Sequence, residues 1–203
     1  MVVLHKPGKH NYILAKAYHP IALLNMTGKL LMVVIADQLY CLLERYQLLP
    51  STHFGEWPGR SMTDSLHLLE YTVKHVWWNK RVVSILFLDI EGAFPNMVTN
   101  QLLHNMCKWC VPEHLVTFTE QLLWGRRTRL SFDGHLSNWI PITNGIGQGD
   151  PLSMVLYIIY NSDLVEMAKG KSELTLAFVD DTAFIAMGPN FEDMHKTLQN
   201  MLK

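Results

Sequence analysis

The sequence predicts an α+β fold in which an antiparallel sheet packs on helices, and three patterns lead to this prediction. Several segments repeat apolar residues at three- and four-residue steps, which is typical of amphipathic helices. The run Val82–Leu88 is almost entirely apolar and rich in β-branched residues, which predicts a strand buried on both faces. The stretch Leu174–Phe184 places two acids between two apolar runs, which predicts a hairpin.

The composition is that of a globular chain with a substantial core. Its 203 residues allow one large domain or two small ones, and 49% of them are hydrophobic. A net charge of −1 counts against a free-standing nucleic-acid module driven by charge alone. The longest nearly uncharged apolar run, Leu152–Tyr160, is too short to span a bilayer, so we expect no membrane partner and an intracellular location.

The chain begins with a basic, turn-rich segment followed by a helix. Residues 2–25 contain two prolines and several lysines, of which Lys6 is the first. These lysines are either solvated or donate to phosphate groups. Leucine, valine and isoleucine then recur with helical spacing over 27–46, which predicts the first helix.

A loop and a second helix follow. Residues 50–60 are rich in proline and glycine, and Ser61 with Asp64 has the spacing of a capping box. We therefore expect a helix over 62–79. Arg60 lies beside the predicted helix N-terminus, where it is either an ordinary surface arginine or a phosphate contact.

The segment after the first predicted strand should form two helices and a hairpin. The helices are expected over 98–109 and 112–124, and the hairpin over 126–142 with its turn at Asp133–Gly134. The densest positive patch of the sequence lies at the start of this hairpin and forms either a solvated face or a template or primer contact. It consists of Arg126, Arg127 and Arg129.

The last third contains a glycine-rich loop and the second acidic hairpin. Glycines surround Gln148 in the loop 143–150, which permits close backbone approach to a nucleotide just before a helix that starts near Pro151. That helix is expected to reach about Ala168. The hairpin over 174–184 and a final helix from Phe191 complete the chain.

Three aspartates end predicted strands at two distant points. Asp89 follows the apolar run 82–88, and Asp180 and Asp181 lie in the predicted hairpin. Each site alone fits a helix cap or a surface turn. Together they predict a site for two Mg²⁺ ions, which prefer hard oxygen ligands and catalyse in-line phosphoryl transfer. Because neighbouring strand residues point to opposite faces, we expect Asp89 and Asp180 to be the main pair and Asp181 the weaker third ligand.

Three motifs in order resemble the palm motifs of reverse transcriptases. They are FLDIEGAF from Phe87, GIGQGDPLS from Gly145 and FVDD from Phe178. The flanking HKPGK, YHPIALLN and PGRS are similar to motifs of the non-LTR (LINE-like) retrotransposon branch, especially fungal elements. The resemblance covers most of the chain.

The resemblance implies a right-hand polymerase fold with fingers and palm, and a missing thumb. Residues 1–80 would form a fingers-like part and residues 81–203 the palm, with 98–142 as inserted helices and hairpin. The chain would then be an RNA-directed DNA polymerase core that extends a primer 3′-hydroxyl. Its catalytic residues and metal ligands would be Asp89, Asp180 and Asp181, holding two Mg²⁺ or Mn²⁺ ions.

The resemblance also implies binding partners and further site residues. An RNA template, a DNA primer, dNTPs and the remaining parts of a retrotransposon polyprotein would be the partners. The nucleotide would be bound by Phe94, as a gate against the ribose 2′-hydroxyl, and by Gln148, Gly149, Arg60 and Lys6. The family usually has arginine where this chain has His19, which favours the alternative of an inactive relic that at most binds nucleic acid.

Overall fold

The computed structural model describes residues 1–55, 57 and 59–202 and has the α+β architecture that the sequence predicts. Its helices are α1 (Met26–Arg45), α2 (Met62–Trp78), α3 (Thr99–Lys108), α4 (Glu113–Leu123), α5 (Pro151–Val165) and α6 (Phe191–Met201). Its strands are β1 (Val2–His5), β2 (Tyr18–Ile21), β3 (Val82–Asp89), β4 (Arg127–Thr128), β5 (Ser131–Phe132), β6 (His135–Leu136), β7 (Ile140–Pro141), β8 (Glu173–Phe178) and β9 (Asp181–Gly188).

The chain divides into two compact units, each made from two separate stretches. One unit contains Met1–Leu39 and Gly92–Leu156, and the other contains Tyr40–Glu91 and Tyr157–Lys203. Two of the three boundaries fall within α1 and α5, and the third falls just after β3. The contiguous division into fingers-like residues 1–80 and palm residues 81–203 remains a prediction.

The second unit contains a three-stranded antiparallel sheet in the order β3-β9-β8. Strand β9 is central and buried along most of its length, because it pairs on both sides. Strand β3 lies at the edge, and its last three residues are exposed. The prediction that β3 is buried on both faces was therefore wrong, since apolar composition alone does not distinguish an edge strand from a central one.

Helix α2 covers one face of this sheet. Its Leu68 and Leu69 pack against a buried cluster that includes Leu176, Ala183 and Ile185. Burial of each large apolar side chain there contributes roughly 1.5–3 kcal/mol. The packing fixes the sheet to the helix near the end that carries the acidic residues.

The first unit contains two smaller sheets. One is four-stranded, in the order β2-β1-β5-β6, and the other pairs β4 with β7. The turn at Asp133–Gly134 has φ angles of 46° and 77°, which confirms the predicted hairpin with a tight left-handed turn. The pairing of β1 with β2 was missed, because two prolines and several lysines suggested an irregular segment.

The helix boundaries agree closely with those predicted. Helix α2 begins with the predicted capping box: Asp64 N donates to Ser61 Oγ at 3.3 Å, and Ser61 N donates to Asp64 Oδ2 at 2.8 Å. Helix α1 has 20 residues and is long and apolar enough to cross a membrane by length and composition. Core helices of globular proteins can have the same length and composition.

Candidate active site

The end of the three-stranded sheet brings two of the predicted acids together. The register of β3 and β9 places Asp89 directly opposite Asp181. Cross-strand partners have Cα atoms about 4.5–5.5 Å apart and side chains on the same face. The register therefore places Asp89 and Asp181 side by side on one face of the sheet, whereas the sequence prediction paired Asp89 chiefly with Asp180.

Asp180 lies in the turn that joins β8 to β9. Because Phe178 pairs with Asp181, the two residues of the turn are Val179 and Asp180. The sequence placed the turn one residue later, at the acidic dipeptide, because the preference of aspartate for turns outweighs that of valine. The register places Asp181, and not Asp180, directly opposite Asp89. The ranking of Asp180 above Asp181 as a metal ligand stays a prediction.

Electrostatics also place the three acids close to one another. The pKa of Asp181 is raised, first by burial and then by the charges of Asp180 and Asp89. Burial likewise raises the pKa of the Tyr157 hydroxyl, and Asp180 and Asp89 add to this effect. Several like charges close together favour a bound cation.

Within the described residues, no group of three or more histidine, cysteine, aspartate or glutamate side chains forms a ready metal cage. The arrangement at the end of the sheet is an adjacent pair with a third acid in the neighbouring turn. Carboxylates alone are suitable donors for Mg²⁺, which commonly completes its shell with water and substrate phosphates. Cys107 and Cys110 are free and exposed.

A cavity of about 380 Å³ opens beside the acid pair. Asp89 and Asp181 lie at its wall with Phe87, which is 67% exposed. The first turns of α2 form the opposite wall through Met62, Ser65, Leu66 and Leu69. The cavity is thus apolar apart from its acidic end, and it is large enough to admit a base or sugar.

A segment that the sequence assigned to a plain loop pairs with the same sheet. Phe54 N donates to Ala177 O at 2.8 Å, and Ala177 N donates to Thr52 O at 3.1 Å. Gly55 follows directly and packs against Val179 in the acidic turn. In the sequence, Gly55 was the only pointer to this contact, and a glycine in a loop is a weak one.

In the other unit, the loop with Phe94 and the glycine-rich loop lie against each other. Ile146 N donates to Phe94 O at 2.9 Å, and Gly145 N donates to Met97 O at 2.7 Å. A Cβ at Gly145 would lie 2.5 Å from Pro95 O, so the close approach requires glycine.

The glycine-rich loop also contacts the end of β2. Ala22 N donates to Gln148 O at 3.0 Å, and Gly149 has a φ of 93° beside Ile21. The structure therefore gathers Phe94, Gln148 and Gly149, three of the predicted nucleotide-binding residues, within one unit.

The other two predicted nucleotide contacts are Lys6 and Arg60. Lys6 follows β1, and its amide donates to Ala17 O at 2.8 Å. The Arg60 guanidinium donates to the carbonyls of Ser51 and His53, each at 2.8 Å, and lies 5.0 Å from the Trp57 ring. These hydrogen bonds favour a structural role for Arg60 over a phosphate contact.

The three arginines of the predicted nucleic-acid patch differ in their surroundings. Arg126 donates to the carbonyls of Leu123 and Gly145, and burial lowers its pKa. Arg127 is exposed on β4. Arg129 lies 5.1 Å from the ring of Trp139, which is 60% exposed. The exposed tryptophan was not singled out in the sequence, although it directly precedes β7 in the returning part of the predicted hairpin.

The chain matches one protein family along nearly its whole length. The sequence profile described as reverse transcriptase (RNA-dependent DNA polymerase) matches residues 4–203. The probable RNA-directed DNA polymerase from transposon X-element of Drosophila melanogaster is 30% identical over 182 residues, 88% of this chain and 20% of that protein. The RNA-directed DNA polymerase from mobile element jockey of the same species is 27% identical over 207 residues, 100% of this chain and 22% of that protein.

This chain spans about a fifth of the length of these relatives, which do not support the predicted fungal origin. Among solved structures, apo telomerase from Candida tropicalis, truncated from the C-terminal domain, is similar with a TM-score of 0.61. The identity is 14%, over 86% of this chain and 36% of that chain. Telomerase from Candida albicans in complex with a fragment of telomeric RNA gives a TM-score of 0.57 at 13% identity, over 84% and 30%. These likenesses support the predicted polymerase fold.

Proposed function

We propose that this chain, which belongs to the reverse transcriptase (RNA-dependent DNA polymerase) family, is the core of an RNA-directed DNA polymerase. It adds deoxynucleotides to the 3′-hydroxyl of a DNA primer on an RNA template. The register of β3 and β9 carries the proposal, because it puts Asp89 opposite Asp181 with Asp180 in the adjoining turn. The names of the Drosophila melanogaster relatives support the same activity.

The acidic residues suit two Mg²⁺ or Mn²⁺ ions held by Asp89, Asp180 and Asp181. Hard oxygen donors match these ions, and a bound cation offsets the burial and the neighbouring charges that raise the pKa of Asp181. When bound, such a pair of ions activates the attacking hydroxyl and stabilises the charge of the phosphoryl transition state. The protein's own contribution is the sheet, which fixes the carboxylates before substrate arrives.

We assign nucleotide binding to the two packed loops of the other unit. The Phe94 ring excludes a ribose 2′-hydroxyl, and Gln148 and Gly149 contact the incoming nucleotide and the template. The hydrogen bond from Ile146 N to Phe94 O supports this role, because it fixes the backbone that carries the ring. Lys6 is retained as a phosphate contact, whereas the bonds of Arg60 to Ser51 and His53 make it a weaker candidate.

Nucleic-acid binding is assigned chiefly to Arg127 and Arg129. Arg127 is exposed, and Arg129 with Trp139 offers a cation beside an aromatic ring, which suits an unpaired base next to a phosphate. Arg126 supports this surface by holding the loop at Gly145. Because the chain spans about a fifth of its relatives, we further propose that it acts as one part of a longer retrotransposon polyprotein.

Primer extension on an RNA template tests the proposal directly. The full chain and its Asp181→Asn variant are compared with labelled primer, dNTPs and Mg²⁺ or Mn²⁺. Removal of one carboxylate charge from the pair should reduce extension by about a hundredfold or more, since the transition-state charge then loses a positioned counter-ion.

The matched control is Asp133→Asn, which makes the same chemical change in a turn at φ 46°, a conformation that asparagine also adopts. Its extension rate should equal that of the unaltered chain. Extension that persists in Asp181→Asn would contradict the assignment of the acid pair. Binding of RNA without any extension would favour the inactive relic.

A further inference from the structure

The loop before α2 adds a short parallel strand to the sheet that carries the acids. His53 forms a parallel bridge with Ala177 of β8, whose other edge pairs with β9. Backbone hydrogen bonds on both sides of the bridge, from Phe54 N to Ala177 O and from Ala177 N to Thr52 O, complete the pairing. The loop therefore continues the sheet beyond β8.

Gly55, the next residue, lies directly behind the acidic turn. A Cβ on Gly55 would lie 2.3 Å from Val179 N, 2.6 Å from Val179 Cγ2 and 3.0 Å from Phe178 C. Two of these three atoms are backbone, which cannot rotate away. Glycine is therefore required at position 55 because a side chain would not fit there.

The turn against which Gly55 packs has an unfavourable backbone conformation. Val179 has a φ of 57°, and a β-branched residue in the left-handed region costs about 1–2 kcal/mol. Such a conformation persists only where the surroundings hold it. Asn161 Nδ2 donates to Val179 O at 3.2 Å, and Gly55 is in contact with Val179 as well.

The segment that carries Gly55 is itself fixed. Arg60 holds the carbonyls of Ser51 and His53, and its guanidinium lies over the ring of Trp57. Trp57 is 5% exposed, and its Nε1 donates to Glu44 Oε2 at 3.1 Å. The backbone behind the turn is therefore held at both ends.

We propose that Gly55 is a positioning residue for the polymerase reaction, which seats the Val179–Asp180 turn so that Asp180 and Asp181 stay beside Asp89. This inference rests on the proposed function, since it concerns the acids assigned there. Gly55 touches neither substrate nor metal. It acts through the backbone of the turn, and a larger residue displaces the turn while the rest of the sheet remains paired.

The first test measures Mn²⁺ binding to the full chain by electron paramagnetic resonance. Gly55→Ala should raise the dissociation constant for Mn²⁺ by about tenfold or more, as expected when a residue supporting metal ligands is altered. The control is Gly59→Ala, because a Cβ at Gly59 meets nothing within 4 Å and only the backbone at φ 76° is affected. Its dissociation constant should stay close to that of the unaltered chain, and equal values for Gly55→Ala would overturn the proposal.

The second test needs no metal and separates this proposal from the function on which it rests. Amide hydrogen exchange at residues 178–181 should be faster in Gly55→Ala than in Gly59→Ala, with exchange in β3 unchanged. Failure of the unaltered chain to bind Mn²⁺ would reject the proposed metal site, whereas wild-type exchange at the turn in Gly55→Ala would reject the role of Gly55.

A further variant keeps the test open if Gly55→Ala does not fold. Arg60→Met leaves Gly55 unaltered but removes the hydrogen bonds to the carbonyls of Ser51 and His53 that hold the segment behind the turn. It should likewise speed exchange at residues 178–181 and weaken Mn²⁺ binding. Unchanged exchange and unchanged binding in Arg60→Met would also overturn the proposal.

Discussion

His53 is a titratable side chain within the core of its unit. It is 1% exposed, and its ring nitrogens have no hydrogen-bond partner among the described residues. Burial, and then the charge of Arg60, lowers its pKa from 6.5 to about 4. Since the unfolded chain binds this proton more readily, the stability contributed by the neutral imidazole is complete above pH 6.5 and is lost as the pH falls towards 4.

We expect the free energy of unfolding to decrease by on the order of 3 kcal/mol between pH 6.5 and 4 on account of His53. Urea titrations across this range measure the decrease. His53→Phe fills a similar space without a titrating group, so its decline with pH should be shallower by that amount. Carboxylates titrate in both proteins, and parallel declines would contradict the assigned cause.

Arg126 and Arg127 are adjacent, but substitution of Arg126 should affect stability, whereas substitution of Arg127 should affect RNA binding. Because Arg126 donates to the carbonyls of Leu123 and Gly145, Arg126→Met should lower the free energy of unfolding by about 1–3 kcal/mol. Arg127→Met should leave stability nearly unchanged and weaken RNA binding. Urea unfolding and fluorescence anisotropy distinguish the two, and a loss of binding without a loss of stability in Arg126→Met would reverse the assignment.

At the scale of elements, the start of α2 depends on its capping box. Ser61→Ala removes the acceptor for Asp64 N and should cost about 1 kcal/mol in urea unfolding. Hydrogen bonds from Ser61 also hold the pKa of Asp64 below its usual range, so the variant should raise that pKa in NMR titrations. Thr63→Ala, an exposed change in the same turn, should alter neither quantity.

Elements with local signals were predictable, and those defined by distant partners were not. The capping box at Ser61 and the turn at Asp133–Gly134 are set by residues a few positions apart, so the sequence contains the whole pattern. The edge position of β3 depends on a strand far along the chain. The same holds for Thr52–Gly55, whose partner is β8. For the candidate site, the acids were predicted because each lies next to an apolar run, which is a local pattern, whereas Gly55 matters only through a tertiary contact.

At the scale of the whole molecule, the net charge of −1 means that attraction to nucleic acid must be local. With about three phosphate contacts, at Lys6, Arg127 and Arg129, binding to single-stranded RNA should show a slope of roughly −2 in log K against log salt. Fluorescence anisotropy titrations between about 50 and 200 mM salt measure this slope. A slope several times steeper would require another basic surface.

The pairing of β3 with β9 also has a consequence for biosynthesis. Asp89 and Asp181 are about 90 residues apart along the chain, which a ribosome takes roughly 5–20 seconds to translate. During that interval the nascent β3 has an unsatisfied hydrogen-bonding edge and apolar side chains, which are features that chaperones bind. A product released before residue 181 would lack one half of the acid pair, so the proposed polymerase activity would require that most of this chain has been made.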